Sequence, residues 1–139
     1  MTTSKPINWT AAPGIGYTAV RRTDGGMALN FTDLSEATLK HWHDFALSHL
    51  LDSDRLTRNL YDLRQVAEIP EKAIRLAVEV NNDPSTRNIR MAVVVASEKL
   101  KEAVMAIAAQ TPGAGVAIRI FTNIDEAEAW LSRPLDQIV

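Results

Sequence analysis

The chain of 139 residues contains no cysteine. That excludes disulfides, thiolate metal sites and a cysteine nucleophile, and it agrees with a reducing, cytoplasmic setting without requiring one. Charge of one sign is lacking too. Fifteen basic residues face 17 acidic ones, for a net charge of −2, so no overall field draws the protein to nucleic acid or to an acidic membrane. No window approaches the roughly 18 apolar residues of a membrane-spanning helix, and the opening stretch, with Pro6, Pro13 and Gly14, lacks the apolar run of a signal peptide. Internal repeats and low-complexity segments are absent. What remains is ordinary globular composition, 46% hydrophobic and 23% charged, in a length that suits one domain with a real core.

Residues 1–16 read as a polar N-terminal arm, with residues 17–139 forming the domain. Tyr17–Arg22 is the first strand candidate, Thr23-Asp24-Gly25-Gly26 is turn chemistry, and Met27–Phe31 then alternates apolar and polar. The pattern predicts an antiparallel hairpin whose glycines supply positive φ. A helix follows over Ser35–Leu51, capped by Asp33 or Thr32, with Leu39, Trp42, Ala46 and Leu50 as its buried stripe. A strand near Leu56–Leu63 leads to a helix opened by Pro70 at its first position, with Ala73, Ile74, Ala77 and Val78 as the apolar face and Asn81-Asn82-Asp83-Pro84 as the stop. Ile89–Ala96 is a nearly continuous β-branched run, the mark of a strand covered on both faces. Ser97 caps the next helix, where Leu100, Ala103, Val104, Ile107 and Ala108 face inward. Val116–Phe121 is the last strand. Asn123 and Glu126 form a capping box before a final helix that runs to about Arg133. Strands alternating with helices imply right-handed crossovers and a mostly parallel sheet, made mixed by the hairpin.

The strand end Asn59-Leu60-Tyr61-Asp62-Leu63-Arg64 is one of two telling stretches. The other is the sequence Ile118-Arg119-Ile120-Phe121-Thr122-Asn123 followed by Glu126-Ala127-Glu128-Ala129-Trp130-Leu131. Together with the element order they resemble the STAS fold, in particular the SpoIIAA-like group related to bacterial anti-sigma-factor antagonists, over roughly residues 17–133. The resemblance implies a single-domain α/β fold with an N-terminal hairpin and four helices. Antagonists of this fold carry a phosphorylatable serine at the start of the helix after the middle strand. The matching positions here are Pro70, Glu71 and Lys72, and no serine or threonine lies between Thr57 and Ser85, so the resemblance implies that this switch is missing. Glu71 puts a fixed negative charge about where a phosphate would sit. The simpler account is an acidic first-turn residue complementing the helix dipole, worth about 0.3–1 kcal/mol.

Other candidate chemistry is thin. His41 and His43 are two residues apart and point to different sides of a helix, and His43 and His49 are six apart, so a metal site would need ligands that no motif supplies. Gly14-Ile15-Gly16 has no preceding strand, and Gly113-Ala114-Gly115 leads into a strand rather than a helix, so neither is a phosphate loop. Ser97 lacks the glycines of a nucleophile elbow, and capping explains it. The arginines are interleaved with acids rather than gathered in a stripe, which argues against a nucleic-acid partner.

Two functional expectations follow. One is a non-enzymatic interaction module whose protein partner meets Asp62, Arg64, Glu71 and Lys72, at the end of the strand where open α/β sheets place their sites. The alternative is a carrier of a small apolar ligand, with a pocket between the sheet and the first helix lined by Trp42, His43, Phe45 and Leu47. The competing account of those four residues is plain core packing. No cofactor, metal or membrane partner is expected. The hairpin's free edge makes a homodimer an open option.

Overall fold

Residues 14–22, 26–49, 57–82, 89–110 and 116–132 are described by the computed structural model. Alternation sets the first element. Tyr17–Arg21 (β1) and Met27–Phe31 (β2) pair antiparallel, with Tyr17 opposite Phe31 and Arg21 opposite Met27. Tyr17, Ala19, Met27, Leu29 and Phe31 are all buried on one side, as a period of two demands. The turn residues 23–25 lie outside the described set. Gly26 is needed for proximity rather than for positive φ: a Cβ there would land on the Arg58 carbonyl oxygen, and among described glycines only Gly14 has positive φ.

The first helix is Glu36–His49 (α1). Its cap is Ser35, not Asp33 or Thr32: the Thr38 amide donates to Ser35 Oγ at 3.3 Å. Asp33 has a different task. Its Oδ1 accepts from the Ser35 amide at 2.9 Å and from the Thr38 hydroxyl at 2.7 Å, while Thr38 Oγ1 accepts from the Gly16 amide at 2.8 Å. Gly16 O also accepts from the Thr32 amide. Ile15 packs on the core, so residues just before β1 are tied into the fold.

Thr57–Asp62 (β3) leads to Glu71–Asn81 (α2), where Pro70 is the N-cap residue and Glu71 the first helical one. The inward face of α2 is rotated from the expected one. Ala73 and Val80 are buried and Leu76 and Ala77 pack on the core, a spacing of three, one and three that a helix of 3.6 residues per turn brings to one side. Ile74 and Val78 sit at the flank. Ile89–Val94 (β4), Glu98–Ala109 (α3), Val116–Phe121 (β5) and Ile124–Leu131 (α4) complete the order. Ser97 Oγ accepts from the Leu100 amide at 3.2 Å. Asn123 Oδ1 accepts from the amides of Asp125 and Glu126 at 2.8 and 3.1 Å. Leu50, Leu51, Leu56 and Arg133 lie outside the described residues.

The five strands run β1-β2-β3-β4-β5 across one sheet, with every pair after the hairpin parallel. Strand order never reverses between β2 and β5. Right-handed crossovers therefore lay α1, α2 and α3 on the same face, where α1 packs on α2 and α2 on α3. The other face receives α4, against β3, β4 and β5. Two cores result. The larger joins Phe31, Trp42, Tyr61, Val93 and Val104, and the smaller joins Leu60, Ala92, Val94, Ala127 and Trp130. β4 contributes to both and is buried on both faces, as its continuous apolar run requires.

Candidate functional site

Small residues on α2 create space beneath it. Its inward positions Ala73 and Ala77 leave a gap that neighbouring side chains do not close. The result is a cavity of about 90 Å³ between the sheet and the three helices. Phe31, Tyr61, Met91, Val93 and Ile118 form its floor, Leu39 and Trp42 come from α1, and Val104 and Ile107 come from α3. Leu34, Leu63 and Ile69 close the end near the loops that follow β2 and β3. The wall is almost wholly apolar, and among the described residues no carboxylate, imidazole, amine or guanidinium lines it.

Three polar side chains reach this wall. Trp42 Nε1 donates to the Tyr61 hydroxyl at 3.1 Å. Burial pushes the Tyr61 phenol well above its ordinary pKa, with the Trp42 hydrogen bond opposing, so it remains a neutral hydroxyl. Asn81 is the third. It is only 5% exposed and lines the cavity. It lies eight residues beyond Ala73 on α2, roughly 12 Å along the helix axis. The floor is ordered by an aromatic ladder. Tyr17 stacks on Phe31 with centroids 4.9 Å apart, Phe31 lies parallel to Tyr61 at 6.1 Å, and Trp42 meets Tyr61 edge-on at 6.3 Å.

Of the four pocket residues expected from sequence, Trp42 lines the cavity. Phe45 is buried farther along α1, edge-on to Tyr17. His43 faces α2, with Nε2 3.1 Å from Glu79 Oε2, and the side chain of Leu47 lies outside the described set. His41 lies across from His43, with Nδ1 2.8 Å from the Tyr17 hydroxyl. The expectation omits Tyr61, Ala77 and Asn81. For Ala77 and Asn81 a signal is present in the sequence: Ala73, Ala77 and Asn81 recur every four residues, a stripe of small and polar side chains where bulky ones would fill a core.

Of the four surface residues, Asp62 and Arg64 pair with each other, while Glu71 and Lys72 lie apart from them at the start of α2. Arg64 Nε and Nη2 reach the two oxygens of Asp62 at 3.0 and 2.8 Å, a bidentate pair, and Asn30 Nδ2 donates to the same carboxylate at 3.3 Å. The Arg64 hydrogen bonds hold the Asp62 carboxyl below the usual range and raise the Arg64 guanidinium in turn. Lys72 pairs with Glu36 of α1 at 3.1 Å, and Glu71 is exposed in the first turn of α2. Asp62 shares its side of the sheet with Leu60, on the α4 side, whereas α2 covers the opposite face. Because strand order does not reverse, the crevice that a reversal opens in doubly wound sheets has no counterpart here.

No protein-family profile and no curated protein matches this chain. Among solved structures it is similar to an uncharacterized protein of the DUF3478 family from Shewanella loihica, described as having a SpoIIAA-like fold. The two share 15% identity over 94% of this chain and 99% of the other, with a TM-score of 0.59. The fold is SpoIIAA-like. The strand order, the hairpin and the four helices all belong to that architecture. No helix among the described residues is long and apolar enough to cross a membrane.

Proposed function

We propose that this protein is a non-enzymatic SpoIIAA-like binding module that holds a small apolar ligand between its sheet and helices α1 to α3. The cavity carries this reading. The lining side chains of this apolar space of about 90 Å³ lack packing partners on one side, and an occupant supplies those contacts. Apolar spaces in protein interiors take up small apolar guests. Among the described residues, the wall offers a guest contact surface and neutral polar groups. Native mass spectrometry of protein purified from cells tests the reading, with Ala77→Leu as the filled control. The expected result is a small apolar adduct on the native protein that the variant loses. A clean apo mass for both opposes it.

The second reading is a docking surface for a protein partner at Asp62, Arg64, Glu71 and Lys72. The bidentate Asp62–Arg64 pair favours it, because a guanidinium fixed in place meets a partner at a lower entropy cost than a free one. Under this reading Glu71 supplies a constant charge where related antagonists are modified. Charge reversal of Arg64 or Glu71 then weakens capture of the partner, and reversal of Glu71, exposed in the first turn of α2, leaves Tm within about a degree or two because exposed charges contribute little to stability. Undiminished capture by both variants contradicts it.

A further inference from the structure

We infer that two copies of this chain pair through the free edge of β5, strand to antiparallel strand, with Ile120 of one copy opposite Ile120 of the other. The claim stands apart from the ligand-holding reading above. β5 ends the strand order, and among the described residues nothing pairs with it beyond β4. The Phe121 carbonyl accepts from the Val95 amide at 2.9 Å, so Ala117, Arg119 and Phe121 direct their backbone groups to β4. Alternation along the strand then turns the N–H and C=O of Ile118 and Ile120 outward. Open backbone groups of this kind are a template for another strand. An apolar strip runs beside them. The Ile118 and Ile120 side chains lie on the face that carries α3 and are only partly buried. On α3, Lys99 reaches Glu68 in the loop that leads into α2. Met105, six residues on, stands on the opposite flank, the one toward β5, and is 52% exposed. The other face of β5 decides the partner. Arg119 is exposed and Phe121 half-buried there, on the side of α4. With Ile120 on a twofold axis, Arg119 of each copy lies opposite Phe121 of the other, a cation–π pair made twice. The neighbouring register, Ile118 opposite Ile120, sets Arg119 against its own counterpart and is disfavoured. An edge complementary to itself in this way fits a second copy, joined by an isologous contact.

Sedimentation equilibrium of the full-length protein, from about 1 µM to 1 mM, reads the association. A concentration-dependent dimer is expected. Met105→Glu and Arg119→Glu, both at exposed positions, should each raise its dissociation constant about tenfold or more, with the circular dichroism spectrum unchanged. The chain has no cysteine, so one introduced thiol marks one edge. Ile120→Cys should link two chains through a short bismaleimide, since partners in a hydrogen-bonded antiparallel pair stand about 5.5 Å apart. Thr18→Cys, exposed on β1 at the other edge of the sheet, tests the hairpin edge and should stay unlinked. A monomer at every loading overturns the inference and leaves Arg119 as the guard of a solitary edge. A dimer that both charge variants leave intact, or linking at position 18 in place of 120, puts the interface elsewhere and overturns it too.

Discussion

A single methyl group is too large at position 26. Gly26 sits against the backbone of Arg58, where β2 meets β3, and backbone cannot move aside as a flexible side chain can. Gly26→Ala should therefore cost about 1–3 kcal/mol or more, read from urea denaturation midpoints, and a loss below about 0.5 kcal/mol would contradict that packing. The hairpin was legible in the sequence, but this reason for the glycine was not, because it depends on a strand some 30 residues away. Asn81 was obscured in a similar way. Its place in Asn81-Asn82-Asp83-Pro84 reads as a helix stop, and only the burial of α2 reveals it as part of the wall. Asp62 gives a prediction in pH. Its carboxyl titrates below the usual value of about 4 because of the Arg64 hydrogen bonds. The stability it adds is fully present above that value and is lost as pH falls through the lower, folded one. Asp62→Asn should flatten the acid limb of the stability curve below about pH 4, measured by denaturation across a pH series. An acid limb unchanged in slope would contradict the pairing.

At the scale of elements, α4 depends on two arginines that sequence alone leaves scattered. Arg58 on β3 and Arg90 on β4 stand opposite each other in register. Arg58 Nε donates to the Leu131 carbonyl at 2.6 Å, and Arg90 Nη1 donates to the carbonyls of Trp130 and Leu131 at 3.2 and 3.4 Å. The Arg90 guanidinium also lies 5.4 Å from the Trp130 ring centre, and its side chain is wholly buried. Cations at a helix C-terminus complement its dipole and its open carbonyls. Arg90→Met removes this arrangement and should cost about 3 kcal/mol, with Trp130 fluorescence reporting the loosening of α4. Wild-type stability in that variant would show that α4 is held by its apolar face alone. The order and kinds of the nine elements were readable from periodicity and caps, as at Ser97 and Asn123. The orientation of α2 was not, because Ile74 and Val78 are as apolar as Leu76 and Val80, and only the neighbours decide which pair turns inward.

For the whole molecule, the decisive property is that strand order runs one way. Among the described residues, three helices crowd one face of the sheet and α4 serves the other. The crowded face must be filled by three apolar stripes at once, and α2 brings alanines to it. That is where the space arises. Topology was legible from the alternation of strands and helices. A pocket between the sheet and α1 is the alternative expectation from sequence, but its extent beneath α2 and α3 was not legible, because its volume depends on how side chains from seven elements meet. Filling it offers a further check: Ala77→Val should raise Tm or leave it unchanged while weakening guest uptake, and a clear loss of stability would mean that the site is already packed. The most direct measurement is a crystal of the native protein under xenon pressure. The account predicts a xenon atom in the space bounded by Trp42, Tyr61, Ala77 and Val104, and its loss in Ala77→Leu. Side chains filling that space, with no xenon bound, would contradict it.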